Sequence, residues 1–375
     1  MRIVNLNRPD LDAWRAPVTL IVYTTQAFSQ ELVCSVRSRF PDLNIIGISS
    51  FHGMLLADGF KRGSYGVLFE REDGIVSRSM AIDFNGVVNV RETVSNAMQE
   101  WVNDTQGVPL LFIHSPQGLE ERIIEGINDA FSGTAQIFGA TPANDSFLPN
   151  AFCFLNETCL TSGVVITQLF EERIVCTITC GGYLPTLKKG IVTSAQGRVI
   201  RTINDRPAAD VYNEWTDGMF EAYIHRGCVL PRSAGLYPIC REYEDARNGG
   251  WLSHVYSADR QEKAIHLYSE VPQGSHIQLM RGTESSIVTH VGTAIKKALA
   301  QVENKRVAAA LIMYCAGCGS IISDSMNLVC EQAAQAFGDI PFLGCMTYGE
   351  QGCLFQEKHY YHGNMMIEIV LILAR

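Results

Sequence analysis

The stretch that decides the fold runs from Arg306 to Gly352, RVAAALIMYCAGCGSIISDSMNLVCEQAAQAFGDIPFLGCMTYGEQG. Val307 to Tyr314 is a continuous apolar run, the pattern of a strand covered on both faces. A glycine-rich turn follows, Cys315-Ala-Gly-Cys-Gly319. Ile321, Ile322, Met326, Val329, Cys330, Ala333 and Phe337 then recur at helical spacing, with Ser320 or Ser323 as the cap, and Gly338 and Pro341 close the helix. A second apolar run, Phe342 to Met346, ends in Thr347-Tyr-Gly-Glu-Gln-Gly352. The whole reads strand, helix, strand, with glycines and polar groups at the C-terminal end of each strand. In a parallel pair those two ends lie side by side, where α/β sheets bind ligands.

The same unit is written twice more. Val18 to Thr24, a helix over Phe28 to Phe40, and Ile45 to Gly53 form one copy; Pro109 to His114, a helix over Leu119 to Phe131, and Ile137 to Asp145 form another. Gly47, Gly139 and Gly344 take the same place in the copies, two positions after a pair of bulky apolar residues and just before a polar turn, which points to a duplicated architecture. Hairpin strands (64–69 and 75–82), a helix (91–102) and further strands (151–155, 163–168, 175–179) complete the first half. A connecting stretch from Gly190 to Trp215 leads to strands at 236–240, 251–256, 264–268 and 276–280 and a helix at 284–302. The expected class is α/β with mixed sheets, built of strand-helix-strand units and antiparallel hairpins. At 375 residues the chain is long for one core, and the repeated order of elements predicts two related domains, 1–188 and 189–375.

With 47% hydrophobic and 18% charged residues the composition is that of a globular protein. A net charge of -9 without a basic cluster excludes a nucleic-acid footprint. The longest apolar run, Met365 to Ala374, contains Glu368 and is too short to span a bilayer, and the N-terminal residues lack the basic start and apolar core of a signal peptide. A cytoplasmic protein without membrane insertion is expected. The 12 cysteines are spread over strands and helices, the usage of reduced thiols and not of a disulfide scaffold.

Gly190-Ile-Val-Thr, Asp205-Arg-Pro-Ala-Ala-Asp-Val-Tyr212, Val271-Pro-Gln-Gly-Ser275 and Gly344-Cys-Met-Thr-Tyr-Gly-Glu350 together resemble the signatures of FIST proteins, over nearly the whole chain. The resemblance implies paired N- and C-terminal sensory domains of the kind found in bacterial signalling chains and some F-box proteins. It implies a non-enzymatic sensor of a small ligand, either an amino-acid-like metabolite or, as in a stand-alone branch, haem and nitric oxide. Signalling would then pass to a partner protein such as a histidine kinase or a cyclic-dinucleotide enzyme. One departure stands in the N-terminal unit: the family's turn runs Gly-Cys-Ser-Thr-x-Gly-Glu, whereas this chain has Gly47-Ile-Ser-Ser-Phe-His52-Gly53, with a glycine in place of the carboxylate.

The ligand site is expected at the C-terminal strand ends, with Cys315, Gly317 and Gly319 on one side and Cys345, Thr347, Tyr348, Gly349 and Glu350 on the other. The glycines should leave a concave opening, and the Glu350 carboxylate should bind an amine with about 1.5–3 kcal/mol of charge-assisted hydrogen bonding. Alternatives use the same residues. Cys315, Cys318 and Cys345, with Cys353, have thiolate types suited to zinc or an iron-sulfur cluster. Cys315 ahead of a helix N-terminus is equally a candidate nucleophile of a thiol enzyme. For haem, His254 on a strand and His52 at a strand end are the axial candidates among nine histidines, with His114, His266, His359 and His362 as further ones; no CxxCH motif exists for covalent attachment.

Overall fold

The computed structural model describes residues 1–75, 77–104, 108–146, 150–169, 173–242, 250–352 and 360–375. The chain runs through three units of one plan. The first contains strands β1 (Arg2–Asn5) and β2 (Pro17–Thr24), helix α1 (Gln30–Arg39), then β3 (Asn44–Ser49), the hairpin β4 (Met54–Leu56) and β5 (Gly59–Lys61), and β6 (Ser64–Glu70). The second contains β7 (Ser77–Asp83), α2 (Val90–Asp104), β8 (Leu110–His114), α3 (Glu120–Phe131), β9 (Gln136–Thr141), the hairpin β10 (Cys153–Leu155) and β11 (Thr158–Leu160), and β12 (Gly163–Leu169).

The third unit opens with β13 (Ile174–Cys180) and is then interrupted. The insertion comprises β14 (Leu184–Gln196), β15 (Val199–Ile203), β16 (Arg206–Pro207), α4 (Ala208–Trp215), α5 (Glu221–Arg226), β17 (Ile239–Arg241), β18 (Trp251–Ser253), β19 (Val255–Ala258), β20 (Ile265–Leu267) and β21 (His276–Arg281). The unit resumes with α6 (Glu284–Ala300), β22 (Val307–Cys315), α7 (Ala316–Ile321), α8 (Met326–Phe337) and β23 (Phe342–Thr347). Hairpin β24 (Gly349–Gly352) and β25 (Tyr361–Gly363) and strand β26 (Met366–Leu373) close it.

Three six-stranded sheets result, with one common order: β1-β6-β2-β3-β10-β11, β7-β12-β8-β9-β24-β25 and β13-β26-β22-β23-β4-β5. In each, the two strands flanking the helix are parallel, and the glycines singled out in the sequence sit opposite equivalent residues: Val22 with Gly47, Ile113 with Gly139 and Ile312 with Gly344. The outer hairpin of each sheet comes from a different unit. Unit one sends β4 and β5 to the third sheet, unit two sends β10 and β11 to the first, and unit three sends β24 and β25 to the second.

The inner faces of the three sheets share one core, with Ile21, Ile46 and Val67 meeting Phe112, Phe138 and Val165 and also Leu311, Met313 and Leu343. The outer faces carry the helices: α1 on the first sheet, α2 and α3 on the second, α6 and α8 on the third. This explains the unbroken apolar run of β22. Ala310, Ile312 and Tyr314 face the helices while Leu311 and Met313 face the shared core, so neither face can be polar. Val307 to Tyr314 thus forms the strand its sequence predicts, one residue longer.

Three expectations change. The strands read as a hairpin, 64–69 and 75–82, lie in different sheets, β6 pairing with β1 and β2 and β7 with β12. The helix read from Ile321 onward is two helices, α7 and α8, separated by a turn at Ser323–Ser325. The first begins inside the stretch read as a glycine-rich turn, so that Cys315 and not a serine stands at its N-cap. The stretch read as a connection, Gly190 to Trp215, belongs to the insertion, an eight-stranded antiparallel sheet. Val192, Ile203, Tyr212, Phe220 and Ile277 give that sheet a core of its own.

Candidate functional site

The three parallel strand ends meet in a ring. The backbone N–H of Phe51 donates to the Met346 carbonyl at 3.1 Å, that of Ala143 to Ser49 at 3.0 Å, and that of Tyr348 to Thr141 at 3.0 Å. Each donor lies four residues past its unit's glycine and each acceptor two past the preceding unit's glycine, the first unit following the third. The Ser50 hydroxyl adds a link, accepting from the Met346 N–H at 2.9 Å and donating to the Gly53 carbonyl at 2.8 Å. Backbone groups that would be left bare at the strand ends are thereby satisfied within the protein.

Cys315 and Thr347 occupy neighbouring ends of β22 and β23, directly in register. Glu350 lies in strand β24, not in a turn, and is buried; the Thr347 hydroxyl donates to its Oε1 at 2.8 Å. Burial, and then the charge of Cys315, push the Glu350 carboxyl well above its ordinary range. The expected opening is filled. A Cβ on Gly317 would lie 2.6 Å from Met365 Sδ, one on Gly319 would lie 1.9 Å from Met346 Cε, and one on Gly349 would lie 2.1 Å from His362 Nε2. These glycines admit neighbouring side chains into tight packing. Tyr348 joins two units, its hydroxyl donating to the Asn144 carbonyl at 2.8 Å.

The thiols divide between two faces. Cys345 points into the shared core beside Tyr23 and Met313, its thiol pushed up by burial. Cys315 and Cys318 lie together on the helix face of the same sheet. Burial opposes ionisation of Cys315, yet hydrogen bonding to its sulfur, from the neighbouring Cys318 thiol and from backbone N–H groups including that of Met365 at 3.0 Å, brings it down to about 7. Cys353 and His359 lie outside the described residues.

His52 and His254 sit far apart in role and setting. His52 has φ +56° and is half exposed, with Nδ1 3.3 Å from the Asp145 carboxylate. His254 is enclosed against Tyr268 at a ring distance of 5.5 Å, and burial lowers its pKa to about 4. Neither is among the residues that line the cleft of about 810 Å³ described below. Of the others, His114 is buried against Phe112 and held down to about 3 by burial.

Sequence reasoning missed two features. Glu120 and Glu121 at the start of α3 and His362 on β25 bring their ligand atoms within 4.8 Å of one another, a carboxylate and imidazole set of metal-binding type. Arg198 from the insertion fills that position, with Nη2 2.5 Å from Glu120 and 2.6 Å from Glu121, so the charge is already balanced by a guanidinium. Burial opposes ionisation of Glu121, but contacts with His362 and Arg198 outweigh it and lower its pKa.

The second feature is a cleft of about 810 Å³ between β13, α6 and the insertion strands β14, β17 and β21. Ser286, Thr289, His290, Thr293, Lys297 and Gln301 line it along one face of α6, opposite the buried Ile287, Val291, Ala294, Ile295 and Ala298. His290 Nε2 lies 3.1 Å from the Thr179 hydroxyl, and burial followed by Lys297 lowers its pKa to about 4, leaving a neutral imidazole. Among the described lining residues the charged side chains are Lys297 and Glu242, the latter held by Lys189 at 2.5 Å. The serine and threonine spacing on α6 was visible in the sequence; the walls facing it were not.

Three interlocked sheets with an inserted fourth define a mixed α/β protein whose ligand-sized space lies where the insertion meets the third unit. The FIST N domain model matches residues 19–206 and the FIST C domain model residues 208–353, and the chain belongs to this family. FIST domains are sensory domains of signalling proteins that bind small ligands. No curated protein matches the chain in sequence. A crystal structure of chorismatase at 1.08 Å resolution aligns with 100% of this chain and 97% of its own at 11% identity and a TM-score of 0.37. Among the described residues no helix is long and apolar enough to cross a membrane.

Proposed function

We propose that the protein is a non-enzymatic sensor that takes a small zwitterionic, amino-acid-like metabolite into the cleft between α6 and the insertion and signals through a partner protein of the kinase or cyclic-dinucleotide class. The cleft itself carries the reading. It has the volume of a small-molecule site, one cation in Lys297, one carboxylate in Glu242, and hydroxyl and amide groups between. A ligand bearing a carboxylate and an ammonium group is complementary in kind to that lining. The sensory character of the family supports the same reading.

A thiol enzyme is less well supported, because the described contacts of the Cys315 sulfur are the Met365 backbone N–H and the Met365 thioether, neither of which is a general base. The strand-end cluster of Cys315, Gly317, Gly319, Thr347, Tyr348, Gly349 and Glu350 would then act behind the cleft wall, reached through Tyr183. That side chain lines the cleft and sets its hydroxyl 3.7 Å from Cys318 Sγ.

The test is calorimetric titration of the full chain with a panel of amino acids. Some members should bind, and Lys297→Ala should weaken them about tenfold or more, the loss expected of one charge-assisted hydrogen bond. A panel that gives no heat, or a Lys297→Ala protein that binds like wild type, overturns the assignment.

A further inference from the structure

The first unit covers the outer face of its sheet more thinly than the other two. Between β1 and β2 it has a single turn, Leu11–Ala13, where the second and third units have α2 and α6. Strand register shows a second difference on the same face. Val22, Ile113 and Ile312, each opposite its unit's glycine, pair on their other side with Gly66, Ile166 and Ile369. Two residues before these on the same strands stand Ser64, Val164 and Ile367. Where two units place a pair of branched aliphatic side chains against their helices, the first places a hydrogen and a hydroxymethyl group.

A chamber of about 50 Å³ lies at that place under α1, several times the ~10–15 Å³ that one water needs. Leu20, Val22 and Ile45 of the sheet, Leu32 and Val33 of α1, and Phe154 wall it. Phe28 packs on Phe154 with ring centroids 5.1 Å apart. The mouth is formed by the exposed residues Gln26, Ala27 and Ser29, and among the described residues no charged side chain lines the space. Its polar end is the Thr24 and Ser64 hydroxyl pair, 2.7 Å apart. Ser64 donates to Gln26 Oε1 at 3.2 Å, so Thr24 donates to Ser64, and Thr24 accepts from the Gln26 backbone N–H at 2.9 Å. Both hydroxyl protons are used, and each oxygen keeps one lone pair.

We propose that this chamber is a second ligand site, which takes an uncharged single-ring aromatic molecule bearing one hydrogen-bond donor, in the simplest case a phenol. The ring replaces the aliphatic side chains that the other units carry at this place, with Phe28 and Phe154 as aromatic neighbours. Its O–H donates to the Thr24 and Ser64 pair. A carboxylate or ammonium group would lose its water there and find no counter-charge, so amino acids are excluded. The chamber shares no lining residue with the cleft between α6 and the insertion and selects the opposite chemistry, so the two assignments stand or fall separately.

The experiment titrates phenol, toluene and benzoate into the full chain carrying ¹³C-labelled leucine and valine methyl groups, read by NMR. Phenol and toluene should shift the methyl signals of Leu20, Val22, Leu32 and Val33 saturably, and benzoate should bind at least about tenfold more weakly than phenol. Ser64→Val, which installs the second unit's residue, should weaken phenol about fivefold, the worth of one neutral hydrogen bond, and leave toluene unweakened. Val33→Phe should fill the chamber and abolish both, and Lys297→Ala should change neither. The wild-type series and Ser64→Val decide the matter even if Val33→Phe does not fold. Absence of saturable shifts at those four residues, benzoate binding as tightly as phenol, equal responses of phenol and toluene to Ser64→Val, a folded Val33→Phe protein that still binds, or loss of phenol in Lys297→Ala overturns the proposal.

Discussion

The strand-end cluster and the cleft are built from opposite materials. The cluster is rich in glycine and sealed; the cleft is poor in glycine and open. At the cluster, Gly317, Gly319 and Gly349 let Met365, Met346 and His362 close on the backbone, so that Glu350 and Thr347 bond to each other. At the cleft, ordinary threonines and serines on α6 face a wall from strands far away in sequence. Glycine beside polar residues therefore marks close approach, and whether ligand or protein makes that approach is decided by what the rest of the chain brings there. If this contrast holds, cluster substitutions should cost folding and cleft substitutions should cost binding.

The largest effect is expected where a buried charge set bridges the insertion and the second unit. Arg198→Ala leaves Glu120 and Glu121 without their guanidinium and should cost about 3–5 kcal/mol in urea unfolding. The Glu121 pKa is depressed in the fold, so its stabilisation is present above the ordinary carboxylate range and is lost as pH falls; the variant's acid limb should be flatter than wild type. A loss under about 1 kcal/mol would show that the network does not hold the insertion.

Next comes Gly139, with φ +148° and a hypothetical Cβ 1.9 Å from the Ile113 carbonyl oxygen. Gly139→Ala should cost about 2–4 kcal/mol by the same measurement, because neither backbone nor neighbour can accept the methyl. An unchanged midpoint would break the equivalence drawn between the units.

Glu350→Gln should be nearly silent at acid pH, within about 1 kcal/mol of wild type. The Glu350 carboxyl has its pKa raised in the fold, so the stability of holding that proton is complete below the ordinary value near 4.5 and drains away as pH rises. The variant should gain on wild type as pH is raised, and Glu368, raised by burial as well, shifts in the same direction. Ligand affinity should not change, in contrast to the loss that an accessible carboxylate would give. A variant that falls behind wild type at alkaline pH would mean the carboxylate is ionised in the fold. The smallest expected effect on folding is that of Lys297→Ala, under about 0.5 kcal/mol by thermal melt, since the side chain is exposed on α6. A larger loss would make Lys297 structural.

Much of the fold was legible because its repeating part is local. Strand, helix and strand follow one another within about forty residues in each unit, and the glycine opposite Val22, Ile113 or Ile312 recurs in the sequence itself. The pairing of Cys315 with Thr347 followed from that pattern. What the sequence hid is non-local. Nothing near Met54 reports that it pairs with Cys345, and nothing near Glu120 reports Arg198. The filled space beside Gly319 was hidden for the same reason, since Met346 arrives from the next strand.

The exchange of hairpins has a consequence for how the chain is made. As the polypeptide leaves the ribosome, β4 and β5 emerge early, yet the edge they complete, β23, is among the last segments synthesised. Through most of translation the first hairpin has apolar Met54 and Leu55 and open backbone groups with no native neighbour, the circumstance in which nascent chains recruit chaperones. The last hairpin to appear, β24 and β25, docks at once onto a second sheet whose other strands already exist. Native assembly is thus a closure that waits for the final residues, and its rate should track the length of chain separating Met54 from Cys345 more than the stability of any one sheet.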